Sequence, residues 1–340
     1  MKEQGESGPP GDQQAEGAAW GHPLSPPGRS QGESGPLGGQ QAEGAAWGHP
    51  LVPVLAVVGT GLIGGSFAAA LRRVGQAGRV LGVGRNPVSL QRARDLGLID
   101  EIADLDQAAA RADLIFLATP IGAMAPILRD LAPVLRPDTL ITDAGSTKAD
   151  VARLALDILG ERHAQFIPGH PIAGSEMTGP EAADPMLYHG RKVVLTPFED
   201  TPGLLQHRLI RIWEACGARI SLMTPEAHDR ALAAVSHVPH FLAAAYMAQI
   251  VRADDADTRL NLAGTGFRDF TRIAAGSAEV WRDIFLSNRA AVLRELDDFD
   301  QALRLLRATL EGDPDPAALE ALLEQAALAR RFWGGRSQMQ

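Results

Sequence analysis

Residues Val54 to Ser66 read VLAVVGTGLIGGS, and the fold is decided here. Val54, Leu55, Ala56, Val57 and Val58 make a continuous aliphatic run, the pattern of a strand buried on both faces. The run breaks at Gly59-Thr60-Gly61-Leu62-Ile63-Gly64, and Ser66-Phe67-Ala68-Ala69-Ala70-Leu71 then begins a helical period. G-x-G-x-x-G between a strand and a helix is the fingerprint of dinucleotide binding. Gly59 allows the tight turn, Gly61 lets a pyrophosphate approach the backbone, and Gly64 lets helix and strand pack closely. The helix N-terminus offers free N–H groups and a positive dipole end to the phosphates.

Outward from this loop, strands and helices alternate. Arg79–Gly84, Ala112–Pro120 and Thr139–Ala144 read as buried strands, with a helical stretch at Pro87–Leu96. Such alternation predicts a parallel sheet covered by helices on both faces, a Rossmann-type α/β domain. Lys192–Thr196 and Ala218–Leu222 follow as two more strands, with helical Leu204–Cys216 between them. A NAD-binding unit of this kind usually closes its second strand with an acid that takes the ribose hydroxyls. Here the position holds Gly84, followed by Arg85 and Asn86. Arg85 is suited to a 2′-phosphate, so NAD and NADP both stay open as cofactors. Thr119-Pro120 falls at the carboxyl edge of the sheet, where open α/β sheets bind ligands.

The chain divides into three parts. Residues 1–50 carry an internal duplication: QGESGPPGDQQAEGAAWGHPLSP at Gln4–Pro26 recurs as QGESGPLGGQQAEGAAWGHPLVP at Gln31–Pro53. Gly, Pro, Gln and Ser dominate it, which predicts a disordered extension. Residues 51–223 make the dinucleotide-binding domain. Residues 224–340 change character to helix throughout, with apolar faces such as Leu293, Leu296, Phe299, Leu303 and Leu306.

Composition excludes several classes. The net charge is -9, and beyond residue 50 the chain still has 30 basic against 35 acidic residues. No basic stripe exists to neutralise phosphates, so nucleic acid is not an expected partner. A single cysteine, Cys216, allows no internal disulfide and no thiolate metal cluster. No apolar run is expected to span a membrane, and no secretory leader is evident, so a cytoplasmic protein is expected.

Four further segments carry polar residues that folding does not require. These are DAGSTK at Asp143–Lys148, HPIAGSE at His170–Glu176, SHVPH at Ser236–His240 and GFRDFTR at Gly266–Arg272. His237 and His240 share a helix face, but no third ligand accompanies them, so no metal site is predicted.

Together with the glycine loop, the HDR stretch at His228–Arg230 and WRDIF at Trp281–Phe285, these motifs resemble those of the prephenate/arogenate dehydrogenases of tyrosine biosynthesis. The resemblance runs from about Val54 to about Leu310. It implies NAD(P)-linked oxidative decarboxylation of prephenate to 4-hydroxyphenylpyruvate and CO2, in a homodimer built through the helical domain. It assigns His170 as the base for the substrate's 4-hydroxyl and Ser146 as its hydrogen-bonding neighbour. Arg272 takes a substrate carboxylate, with Glu176 and Asp269 in an ion-pair network beside it. Ser236, His240 and Trp281 line the substrate pocket, and His228 and Asp229 fix the domain junction. Arogenate in place of prephenate remains an alternative substrate. A β-hydroxyacid dehydrogenase would need a lysine in the second domain, and none occurs from Arg219 onward. A non-catalytic dinucleotide sensor would not need His170, Ser146 and Arg272 together.

Overall fold

A computed structural model describes residues 49–174, 177–311 and 314–338. Residues 1–48, which hold most of the duplicated stretch Gln4–Pro53, and Glu176 therefore lie outside the described residues. The chain enters through β1 (Val52–Val58), α1 (Leu62–Arg73), β2 (Ala77–Val83) and α2 (Pro87–Asp95). It continues through β3 (Glu101–Ile102), α3 (Leu105–Arg111), β4 (Leu114–Leu117), α4 (Met124–Leu131), β5 (Leu140–Asp143), α5 (Ala149–Leu159) and β6 (Phe166–Ile167). All six strands are parallel, in the order β3-β2-β1-β4-β5-β6. Strand order reverses between β1 and β4, and the crevice outside the carboxyl ends of those two strands is the place such sheets offer a ligand.

The strands are hydrophobic on both sides because both sides are covered. Phe67 of α1 and Phe116 of β4 meet Trp213 and Tyr188 on one face, with the Phe67 ring 4.3 Å from Phe116 and 4.7 Å from Trp213. Tyr188 buries its ring there and donates its hydroxyl to Ile63 O at 2.6 Å, which ties the glycine loop to this core. Met124, Leu128 and Leu131 of α4 and Val151 and Ala155 of α5 fill the opposite face.

Two departures from the sequence reading matter for the site. His170 lies in a strand, β7 (Gly169–Pro171), rather than in a loop. Also, β8 (Lys192–Leu195) and β9 (Arg219–Leu222), joined through α6 (Gly203–Ala215), do not extend the parallel sheet. With β7 they form a separate three-stranded sheet in which β7 runs antiparallel to β8. Pro168 is the reason for the split: it has no N–H to offer a continuing ladder, so the chain leaves β6 and pairs anew.

Thr224 then caps α7 (Pro225–Leu232), its hydroxyl accepting from Ala227 N at 3.2 Å. The helix widens into a π-turn over Ala233–His237 and resumes as α8 (Val238–Val251). Single π-turns of this kind are frequent at functional sites. After α9 (Ala256–Asn261) and α10 (Thr265–Thr271) come α11 (Ala278–Ser287), α12 (Arg289–Ala308) and α13 (Pro316–Gln338). Contrary to the sequence reading, one helical run, Pro225–Val251, is long and apolar enough to cross a membrane, with mean hydropathy 1.3. It also carries Asp229 and the buried His228, His237 and His240, and it packs on α12. Only 28% of its apolar window is buried, and Val235, Phe241, Tyr246 and Val251 are exposed. Much of the apolar surface of α12 is outward: Leu293, Phe299, Leu303 and Leu306 are exposed, while Leu296 joins Ala291 and Val292 in the small core with Val238.

Candidate active site

The glycine loop is built as its sequence requires. Gly59 has φ +96°, and a Cβ on it would lie 2.4 Å from Ala118 O. At Gly64 a Cβ would lie 2.0 Å from Gly59 O. A Cβ on Gly61, in contrast, would meet nothing within 4 Å, so this glycine faces open space. The first turn of α1 begins at Gly61 without a side-chain cap, leaving its N–H groups to the cavity. That cavity, about 960 Å³, runs from Gly59, Thr60 and Gly61 past Thr119 and Pro120 to Gly84, Arg85 and Ser89. Asn86 caps α2, accepting from Val88 N and Ser89 N at 2.9 and 3.2 Å, which fixes the turn that carries the exposed Arg85. Among the described residues the buried hydroxyl of Thr119 has no partner. A cavity of this size, an uncapped helix start and an orphaned hydroxyl fit a dinucleotide. Sequence reasoning missed the far wall of the cavity: Glu279, Arg282 and Asp283 of α11 close over it from the helical half.

His170 is held from below by a buried ion pair. Asp143, at the end of β5, accepts from Gly169 N at 2.9 Å and from Gly145 N at 2.7 Å. Lys148 pairs with Asp143 and donates to Gly169 O at 2.6 Å; both side chains are fully buried. Gly169 is thus gripped by both its N–H and its carbonyl, and β7 is fixed against β5. Lys148 had no role in the sequence reading beyond its place in the motif.

From above, His170 is held by α7. Its Nδ1 lies 2.8 Å from His228 Nε2, and His228 Nδ1 lies 2.7 Å from Asp229 Oδ1. Asp229 also accepts from Lys148 N at 2.7 Å and Ala149 N at 2.9 Å, so one carboxylate caps α5 and anchors the histidine. Desolvation works to raise its pKa, but the hydrogen bonds from His228 and from these two amides outweigh it and hold the carboxyl below its usual range. An ionised acceptor fixes the protons along the row. With Nδ1–H of His228 given to Asp229, a proton on His170 Nδ1 closes the 2.8 Å contact to His228 Nε2. The Nε2 of His170 is left with its lone pair. Desolvation first, then electrostatic coupling to its neighbours, Lys148 among them, holds His170 well below the ordinary imidazole range. It is a neutral acceptor at pH 7.

Beside this row, Asn288 donates Nδ2–H to Asp229 O at 2.7 Å and to His237 Nδ1 at 3.1 Å. The His240 ring stacks on Trp281, 3.4 Å between centroids and 14° between planes. Burial pushes both His237 and His240 down to about 4. Ser236 sits in the same π-turn, half-buried. Ser146 lines a small cavity of about 190 Å³ with Thr119, Pro120 and Val280, continuous in lining with the large one through Thr119. Among the described residues no hydrogen bond joins Ser146 to His170, whose Nδ1 goes to His228 instead. Arg272 and Asp269 lie apart, in an open groove of about 670 Å³ with Arg268 and Met247, which shares no lining residue with the other two cavities.

A doubly wound sheet with an open glycine cradle, and a helical half that holds a neutral histidine through His228, define a nicotinamide-dinucleotide oxidoreductase. Residues 67–222 match the prephenate dehydrogenase nucleotide-binding domain, and residues 224–325 match the prephenate dehydrogenase dimerization domain. The chain belongs to the prephenate dehydrogenase family. It is 35% identical over 273 residues to the cyclohexadienyl dehydrogenase of Zymomonas mobilis, covering 79% of this chain and 92% of that one. It is 34% identical to the prephenate dehydrogenase of Bacillus subtilis, covering 76% and 70%. Among solved structures, prephenate dehydrogenase from Aquifex aeolicus in complex with hydroxyphenyl propionate and NAD+ is similar at TM-score 0.74 and 34% identity, over 84% of this chain and 98% of that one. Synechocystis arogenate dehydrogenase is similar at TM-score 0.71 and 34% identity, over 82% and 99%.

Proposed function

We propose that this protein oxidatively decarboxylates prephenate to 4-hydroxyphenylpyruvate and CO2 with reduction of NAD, in the biosynthesis of tyrosine. The observation that carries the reading is the row Asp229–His228–His170, which leaves His170 Nε2 as a neutral acceptor. In this reading His170 takes the proton of the ring 4-hydroxyl, assisted by a hydrogen bond from Ser146. Gly59, Gly61 and Gly64 would hold the pyrophosphate of a bound NAD, whose nicotinamide would supply the hydride acceptor. As hydride leaves the ring carbon, its oxygen becomes a carbonyl; loss of CO2 then aromatises the ring, and the proton returns from His170 to the phenolate oxygen. Arg272 pairs with a substrate carboxylate through its two-pronged donor geometry, with Asp269 in the same groove. Ser236, His240 and Trp281 line the side-chain end, the stacked pair giving it a rigid apolar wall.

Arogenate is the second reading, favoured by the likeness to the Synechocystis arogenate dehydrogenase. Arg85 in place of a ribose-binding acid supports acceptance of NADP beside NAD. The exposed apolar face of α12 supports a homodimer through the helical domain, residues 224–340. The buried free thiol of Cys216 suits a reducing cytoplasm. Absorbance at 340 nm with prephenate or arogenate, each with NAD or NADP, tests the reading. Reduction with prephenate is expected; reduction with arogenate alone changes the substrate, and reduction with neither overturns the reading.

A further inference from the structure

His237 is buried to 1% exposure, yet among the described residues its Nε2 has no partner. The proton position on this ring follows from its neighbour. Asn288 Nδ2 lies 2.7 Å from the carbonyl oxygen of Asp229, which can only accept, so the amide orientation is fixed and Nδ2 is the donor. The same nitrogen lies 3.1 Å from His237 Nδ1, which must therefore accept. Burial keeps the ring neutral at pH 7, so its one proton sits on Nε2. A buried N–H of fixed direction without an acceptor is costly and rare in folded proteins.

The ring stands among the groups of the site. Its ionisation is felt by His170, and it in turn feels Asp229, His228 and His240. Trp281, stacked on His240, lies 6.3 Å from it, edge on. It sits in the π-turn, the one place where the helix Pro225–Val251 abandons its regular ladder. We propose that the Nε2–H of His237, its tautomer set by Asn288, is a neutral hydrogen-bond donor to an oxygen of the bound substrate. This rests on the functional reading above and deepens it. A neutral donor suits the place: it adds a bond to a carboxylate or hydroxyl oxygen without adding a positive charge that would depress His170 further.

The test compares wild type with His237→Phe, which keeps a ring but no N–H, and His237→Gln, which can present an N–H near the same point. Calorimetric titration uses the NAD-loaded protein and three ligands: 4-hydroxyphenylpropionate, 3-phenylpropionate and 4-ethylphenol. His237→Phe is expected to weaken 4-hydroxyphenylpropionate roughly ten- to hundred-fold, with Gln restoring most of the loss. A loss that persists with 3-phenylpropionate assigns the acceptor to the carboxylate, and one that persists with 4-ethylphenol assigns it to the hydroxyl. In turnover, the Phe variant raises KM more than it lowers kcat. Wild-type-like affinity for all three ligands in a folded Phe variant overturns the proposal, as does a loss that Gln does not reduce. Turnover of prephenate by wild type is the separate control: its absence defeats the functional reading and not this one.

Discussion

His170 Nδ1 and His228 Nε2 face each other at 2.8 Å across two parts of the fold, one ring on a strand of the small sheet and the other on the first helix of the helical half. The contact decides which nitrogen of His170 is basic. His170→Asn is expected to keep ligand binding and to lower kcat by roughly 10²–10⁴-fold, the usual worth of a positioned base. His228→Phe keeps the base but frees its tautomer, so kcat falls by less, on the order of tenfold, with KM little changed. Steady-state kinetics of the two variants separates the base from its orienting partner. A His228→Phe enzyme with wild-type kcat shows the row to be structural only.

The three glycines of the loop separate folding from binding. A Cβ at Gly61 meets nothing, so Gly61→Ala leaves the melting temperature unchanged while raising the Kd for NAD, because the methyl enters the space a pyrophosphate would use. Gly59→Ala collides with Ala118 O and is strained at φ +96°, so it lowers the melting temperature before any ligand is added. Differential scanning calorimetry with and without NAD checks both.

Breaking the ion pair under the active-site strand leaves a buried charge alone. Lys148→Met strips Asp143 of its partner and Gly169 O of its donor, with an expected cost of about 3–5 kcal/mol. Denaturant unfolding measures it. A loss below about 1 kcal/mol indicates that solvent reaches Asp143 in the variant.

Acid should loosen the helical half. His237 and His240 titrate at about 4 when folded and near their ordinary 6.5 when the chain unfolds. Between those values the unfolded chain binds more protons, so stability is full above pH 6.5 and falls as pH drops towards 4. The kcat profile moves in the same sense, because His170 is also depressed: its acid limb lies below pH 6.5. Melting temperatures and initial rates from pH 4 to 8 test the two together. A melting temperature flat across this window contradicts the buried neutral rings.

Leu303→Asp, in the middle of the outward face of α12, is expected to give a monomer in sedimentation velocity where wild type sediments as a dimer. An unchanged oligomer moves the interface elsewhere on the helical half.

The sequence carried the parallel sheet, the glycine cradle and the helical second half, because each depends on local patterning: aliphatic runs, a G-x-G-x-x-G turn, a 3.6-residue period. The small sheet was illegible, since β7 has three residues and its pairing with β8 is set by where the chain turns after Pro168. His170 and the DAGSTK motif could be picked out by residue type. What orients them could not: Asp229 and Asn288 act through bonds spanning 81 and 59 residues, and no spacing rule announces such partners. The HDR stretch was noticed, yet its resemblance pointed to a domain junction. In the structure the stretch binds the first turn of α5 and, through His228, holds His170 Nδ1.

Asp229 gives this double duty a consequence for modularity. The carboxylate that sets the proton of His170 is the same one that closes the first turn of α5, so the nucleotide half on its own would present a frayed helix and a histidine of undecided tautomer. Recombination could not transplant the glycine cradle with its base as a working cassette; the helical half has to travel with it.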